Sequence, residues 1–508
     1  MANIDQRTLF TTDMPDPDVI RVDDTYYMVS TTMFFMPGAP VLCSKDLQHW
    51  KLLSYVFNTI EDHENYRLEN GKHAYGKGQW ATSLAYRNGK FYACFVCHDM
   101  GKTFIYSTDN PARTGWDRVV IDEVFHDMSF LFWEDRAFLV YDNGDIKIVE
   151  LEADLSGVKK DGLRKLLFKA PADGMMLRCE GCRAFVKDNK IYLLFIEWPT
   201  GGVRRQVCYR SASLEGTYER QIIFEETCGR AGCGVAQGTF VEDGQGNWYA
   251  ILFQDRGASG RIPYLFRIEW KNGWPMIDKE PVALGVCQEQ QKETGLFTDA
   301  FADESANLHK AWQWNHNPLE DCYSLTAVPK GLRLTTGHIA TGLLDARNTL
   351  TYRTEEPGCS FTVKMDFSGL KKGDYAGICA FQGKYGQIGV KIAKNGPVLL
   401  LKQKQGESFG VGEVVPDAEG RFDRWTIVIN DKSTIYLRID YVFGPNLDLA
   451  SFYYSFDGES WKELGNPLQM RFTLDMFTGY RTGIFCYATK EIGGYADFIL
   501  VGEDLTSK

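Results

Sequence analysis

No stretch of about 18 consecutive apolar residues, the length a helix needs to cross a bilayer, occurs in this 508-residue chain, so no membrane partner is expected. The N-terminus, MANIDQRTLF, lacks a basic segment followed by an apolar one, and the expectation is a soluble cytoplasmic protein. Long basic runs are missing too, and the formal net charge is −11. Nucleic acid, which is held by clustered Lys and Arg, is therefore not an expected partner, and an anionic polymer is a poor candidate substrate. A small neutral ligand such as an oligosaccharide suits this charge better. Helical periodicity is scarce as well. The 13 cysteines, an odd number scattered through strand-like segments, read as reduced buried thiols and not as a disulfide framework. Two CxxC pairs, Cys94/Cys97 and Cys179/Cys182, fall in or beside such segments, where residues three apart point to opposite faces; buried small side chains are a better reading than zinc knuckles.

What the chain has in quantity is Gly (49), Phe (32) and Tyr (25), a β-rich and turn-rich profile. Its length implies two domains, one of them large. Short alternating or apolar runs bounded by Gly, Asp, Asn and Pro recur throughout, which marks an all-β protein. Five segments share one pattern: a distinctive residue, a hydrophobic strand, a polar turn, and a second strand carrying an aromatic residue 11 or 12 positions on. They lead with Asp16, Trp80, Asp127, Glu180 and Gln237, and the aromatic residues are Tyr27, Tyr92, Phe138, Tyr192 and Tyr249. This spacing leaves room for one four-stranded sheet per repeat, and five radially repeated sheets make a five-bladed β-propeller. The innermost strand of each blade follows the central axis, so the five leading residues are expected to meet at the mouth of one channel. The propeller is expected over residues 1–281 and a connector over 282–305. Residues 306–508 again alternate as strands without helices, as in SFTVKMDF, IYLRIDY and YADFILV, and read as a two-sheet β-sandwich.

Asp16, Asp127 and Glu180 thus bring three carboxylates to one pocket. Like charges in one site raise at least one pKa, and glycoside hydrolysis uses such a set: one carboxylic acid protonates the leaving oxygen while a carboxylate activates water or attacks the sugar. Glu180, with the longer reach, suits the acid role. A turn or strand-start hydrogen-bonding role explains any one of these residues alone, but three at matching repeat positions are harder to dismiss.

The stretches PDPDVIRVDDTYYMVSTT, GQWATS, HDMSFLFWEDRAFLVY, EGCRAFVKDNKIYLLF and GVAQGTFVEDGQGNWYAILFQDRGASGRIPYLFRIEW together resemble glycoside hydrolase family 43. WQWNHNP and LRLTTG look like the opening of the concanavalin-like sandwich appended in its xylosidase and arabinofuranosidase branch. The resemblance implies an inverting enzyme with Asp16 as general base, Asp127 as the residue that tunes and orients the acid, and Glu180 as general acid. Inversion requires a base-to-acid separation of roughly 6.5–9.5 Å. Asp18 is the neighbouring alternative to Asp16, but it lies deeper along the strand, and Asp16-Pro is the pair that matches the family. Arg261, in GRIP, matches a family arginine near the base.

Trp80 is a candidate apolar wall for the sugar ring, and Phe34 and Phe35 are candidates for the pocket rim, with core packing as the alternative for all three. Gln237 stands where relatives often carry a histidine that helps hold a calcium-bound water cluster. No cofactor is required by the chemistry; calcium at Gln237, through its amide oxygen, or at Asp497 in the last strand is the candidate metal. His126 reads as a flank of Asp127. The expected activity is release of terminal L-arabinofuranose from arabinoxylan-type oligosaccharides. The alternatives are a β-1,4-xylosidase or a bifunctional enzyme and, in another class, a non-catalytic carbohydrate-binding protein.

Overall fold

The computed structural model describes residues 5–282, 298–404, 426–429, 431–444 and 447–501. Its one α-helix among these residues is the four-residue Glu64–Arg67; almost everything else is antiparallel strand. The N-terminal half forms five four-stranded sheets, each a meander in chain order. The innermost strands are Asp18–Val22, Thr82–Arg87, Ser129–Trp133, Met175–Lys187 and Val235–Glu242, each flanked by the inner strands of the two adjacent blades. The recurrent polar turns are tight hairpins. Asn88-Gly89, Glu134-Asp135 and Asp188-Asn189 all have positive φ at both residues, the backbone that a two-residue turn needs to match strand twist. This fixes register, so each repeat aromatic sits opposite an inner-strand residue: Ile20 and Tyr27, Ala85 and Tyr92, Leu131 and Phe138, Phe185 and Tyr192, Val241 and Tyr249.

Apolar faces of neighbouring blades bury one another. Val19, Met28 and Trp50 of blade one pack on Tyr249, Ile251 and Leu265 of blade five, and comparable clusters lie between blades two and three, three and four, and four and five. The chain's start closes the ring: Leu9 N–H donates to the Pro263 carbonyl, Leu265 N–H to that of Arg7, and Met14 N–H to that of Arg261. First and last blades are thereby tied by backbone hydrogen bonds.

Among the described residues, the C-terminal region forms two eight-stranded sheets packed around Trp312, Leu334, Val363, Ile388, Leu437 and Phe498. One of them begins with a propeller strand, because Phe35–Met36 pairs with Gln313–Asn315. Most of the expected connector, residues 283–297, lies outside the described residues; Phe301, near its end, is already in the sandwich core.

The core between blades one and two runs on into the sandwich, and this corrects two expectations. Phe34 and Phe35 are 0% and 1% exposed. Phe34 stacks on His316 and meets Tyr75 edge-on, and Phe35 lies under the Arg481 guanidinium. Rings enclosed on all sides have no face to offer a sugar, so these residues hold the two halves together. Each such buried phenylalanine stabilises the junction by about 1.5–3 kcal/mol. Asp497 is also reassigned: both its oxygens accept from Arg333, at 2.7 and 2.8 Å, in a forked ion pair that a calcium ligand could not keep. The described cysteines are all free thiols, and both CxxC pairs are buried.

Candidate active site

Asp16 and Asp127 each precede an inner strand by two residues and have left-handed backbone, with φ of 51° and 46°; Gln237, within its strand, has 67°. Such backbone is costly outside glycine, of order 1–3 kcal/mol, and here it recurs at matching positions around one axis. Glu180 gains its direction differently. It lies inside the strand Met175–Lys187, where the pairing register slips on either side of it and Gly181 has φ of +66°. A Cβ on Gly181 would fall 2.8 Å from the Gln237 side chain, so only glycine lets blades four and five approach here.

Each carboxylate has its own donors. Asp16, 4% exposed, accepts from the Thr31 hydroxyl at 2.6 Å and from Arg261 Nη1 at 3.0 and 3.1 Å. Asp127, also 4% exposed, accepts the Gly181 backbone N–H at 3.0 Å. Burial pushes its pKa up to about 6; the negative charges of Glu180 and Asp16 push the same way, while His126 and Arg183 oppose them. Glu180 accepts from Asn143 Nδ2 at 2.7 Å.

His126 is more than a flank. Its Nε2 lies 3.6 Å from Glu180 Oε2 and 3.9 Å from Asp127 Oδ2. Burial works against its charge, but Asp127 and Glu180 outweigh that cost, and the pKa is raised to about 9. Its other nitrogen is 3.0 Å from His98 Nε2. The His98 pKa is lowered by burial and by the charge on His126, so the protonated ring donates and His98 accepts as a neutral imidazole.

Trp80 is half-buried at the same mouth, its ring 5.0 Å from His98 and 5.6 Å from Phe477. Its indole N–H is buried without a hydrogen-bond partner among the described residues. Phe477 comes from a loop of the sandwich; its ring lies 4.7 Å from the Arg261 guanidinium, and its carbonyl accepts from Arg261 Nη2 at 3.1 Å. The second domain thus places a ring and a carbonyl beside Trp80 and Arg261. Asp18 is as buried as Asp16, but its carboxylate is engaged within the blades, accepting from Leu84 N–H at 2.8 Å and facing Arg183 Nε at 3.4 Å.

Residues 6–275 match the model for glycosyl hydrolases family 43, and residues 298–501 match the model of the beta xylosidase C-terminal concanavalin A-like domain. The chain belongs to glycosyl hydrolase family 43. Among family members, it is 25% identical to a beta-xylosidase of Formosa agariphila, over 96% of this chain and 88% of that one. It is 28% identical to a non-reducing end alpha-L-arabinofuranosidase of Bacteroides ovatus, over 63% of each. A bifunctional GH43-CE structure from Bacteroides eggerthii superposes with a TM-score of 0.88 at 38% identity, covering 97% of this chain and 62% of that longer one. An engineered family 43 enzyme described as both endo-xylanase and exo-arabinofuranosidase superposes with a TM-score of 0.84 at 27% identity, over 97% and 98%.

Among the described residues of this family 43 hydrolase, His126, Asp127 and Glu180 bring atoms able to hold a metal within 4.8 Å of one another, and His126 already sits beside both carboxylates. Gln237 uses its backbone N–H on the Gln206 side chain, and its own side chain is packed against Gly181. The inward-facing oxygens nearby, the carbonyls of Asp16 and Thr82, accept from the guanidinium of Arg183, whose Nε is 3.4 Å from Asp18 Oδ2. Sequence reasoning missed Arg183, His98, Asn143 and Phe477. Only Arg183 carried a readable signal, being three residues beyond Glu180 on an inner strand.

Proposed function

We propose that this hydrolase is an exo-acting, inverting pentosidase releasing terminal L-arabinofuranose from arabinoxylan-type oligosaccharides. The reading is supported by one observation: Asp16, Asp127 and Glu180, from blades one, three and four, lie within electrostatic reach of one another, each with a dedicated donor. In this scheme Asp16, oriented by Thr31 and Arg261, takes a proton from water as the oxygen attacks the anomeric carbon. Glu180, aimed by Asn143, gives its proton to the departing oxygen on the other side of the ring. Asp127, beside Glu180 and short of solvent, sets the orientation and field around that acid. Its pKa is raised mainly by burial, with Glu180 and Asp16 adding to the rise against His126 and Arg183; carboxylates gathered in so dry a site favour an oxocarbenium-like transition state. A neutral-sugar lectin would gain nothing from this crowding.

Trp80 and Phe477 supply the apolar walls, and the sandwich loop bearing Phe477 favours chain ends over the middle of a polymer. Xylose is the second reading. The relatives divide between beta-xylosidase and alpha-L-arabinofuranosidase by name, and the two pentoses present similar hydroxyls to a small pocket. Assays on 4-nitrophenyl α-L-arabinofuranoside and β-D-xyloside, with product analysis on arabinoxylan oligosaccharides, test the proposal. Release of arabinose monomers with a higher kcat/KM on the arabinofuranoside is expected. Internal cleavage of xylan, or inactivity on both glycosides, would overturn it.

A further inference from the structure

Arg183 is a buried cation, 3% exposed, at a point where four blades meet. It rises from the inner strand of blade four, opposite Leu194. Nη2 donates to the Asp16 carbonyl of blade one at 3.3 Å and to the Thr82 carbonyl of blade two at 3.0 Å. Nη1 donates to the Cys182 carbonyl at 2.7 Å, and Nε faces the Asp18 carboxylate at 3.4 Å. Its charge is also felt by Asp127 of blade three. A guanidinium is always charged and presents its donors in a rigid fork, which suits one group tying several converging strands.

We propose that the Arg183 guanidinium is the resident cation of the propeller axis, standing where a hydrated divalent ion would otherwise balance the carboxylates, and that hydrolysis by this chain needs no metal. The proposal rests on the hydrolase reading above. Three features support it. Backbone carbonyls and a carboxylate are the donors calcium prefers, and here those facing the axis already accept from or pair with Arg183. A divalent ion beside a buried guanidinium would also be repelled with little solvent to screen it. Finally, the side chain of Gln237, whose amide could offer a further neutral oxygen, is packed against Gly181.

Arg183 is a positioning residue in this account. It holds the carbonyl of Asp16, whose left-handed backbone aims the base, and it offsets part of the charge gathered on Asp16, Asp18 and Asp127. Asp127 is otherwise faced by His126 on its own segment, Glu180 from blade four and Asp16 from blade one, so Arg183 and His126 act on it as cations against the two carboxylates.

The test uses the full chain. After exhaustive treatment with EDTA, elemental analysis should find far less than one metal per chain, and calcium chloride should leave the melting temperature within about 1 °C and kcat within about twofold. Arg183→Met should lower kcat about 100-fold with little change in KM and move the acidic limb of the pH profile upward, because Asp127 loses a cationic neighbour. Arg183→Lys should restore part of kcat and return the limb toward its original position. Stoichiometric calcium in the wild type, activity lost to EDTA and regained with calcium, or an Arg183→Met enzyme with an unmoved profile would each overturn the proposal. Metal content and calcium-dependent melting are read without substrate, so they decide the metal question even if the variants fail to fold. A wild type inactive on every pentoside would refute the hydrolase reading and leave the metal result standing.

Discussion

Replacing Asp127 with asparagine is expected to stabilise the protein while removing its activity. The carboxyl is buried, and its pKa is pushed up from 3.8 to about 6 by burial and by the charges of Glu180 and Asp16. That gap corresponds to at most about 3 kcal/mol. The native state holds this proton more tightly than the unfolded chain does, so stability falls as pH rises from about 4 through 6 and stays lower above that range. Asparagine keeps the shape, and its amide oxygen can still accept the Gly181 N–H, but it has no charge to strand in a dry site. Asp127→Asn should therefore match the wild type near pH 4 and exceed it at neutral pH. For a cooperative unit of roughly 250 residues, 3 kcal/mol corresponds to a rise of up to about 6 °C. Scanning calorimetry across this pH range, with hydrolysis measured on the same samples, provides the assay. Activity should drop by about 10²–10³. Melting curves that coincide with the wild type at every pH, or near-normal turnover, would refute the reasoning.

Other expectations follow from the same geometry. Glu180→Gln should lose about 10²–10⁴ in kcat/KM on natural oligosaccharides but much less on 4-nitrophenyl glycosides, whose leaving group needs little protonation; Asp16→Asn should lose comparably on both. His126 has its pKa raised from 6.5 to about 9, so its stabilising contribution is complete below about 6.5 and is lost as pH rises through about 9. His126→Gln should remove that alkaline loss, read by thermal melts across the range. Phe477→Ala opens the wall between Trp80 and Arg261 and should raise KM for short substrates with a smaller effect on kcat, as measured by initial rates.

The propeller was legible because its blades repeat. A strand, a two-residue turn and a second strand in constant register leave a period in the residues, and that period picks out Asp16 and Asp127 just before inner strands and Glu180 within one. Alternation likewise revealed the sandwich. Contacts made across the junction left no such trace. Phe477 reaches the mouth from a loop more than 450 residues beyond Asp16, and no local pattern joins them. Phe34 and Phe35 follow an inner hairpin, where an apolar pair serves a pocket rim or a domain interface equally well; only the sandwich packed on them decides for the interface. Asp497 failed as a metal candidate because Arg333, its partner, lies on a neighbouring strand far away in sequence. His126 read as a flank because its role depends on His98, from the preceding blade.

If Asp16 activates water on one side of the sugar while Glu180 protonates the leaving oxygen on the other, hydrolysis inverts the anomeric carbon. Proton NMR of the first-formed product, recorded before mutarotation, tests this directly. The account predicts β-L-arabinofuranose from an α-L-arabinofuranoside, or α-xylose from a β-xyloside. A first product with the substrate's own anomeric configuration would mean a covalent sugar intermediate and would contradict the assignment of Asp16 as base.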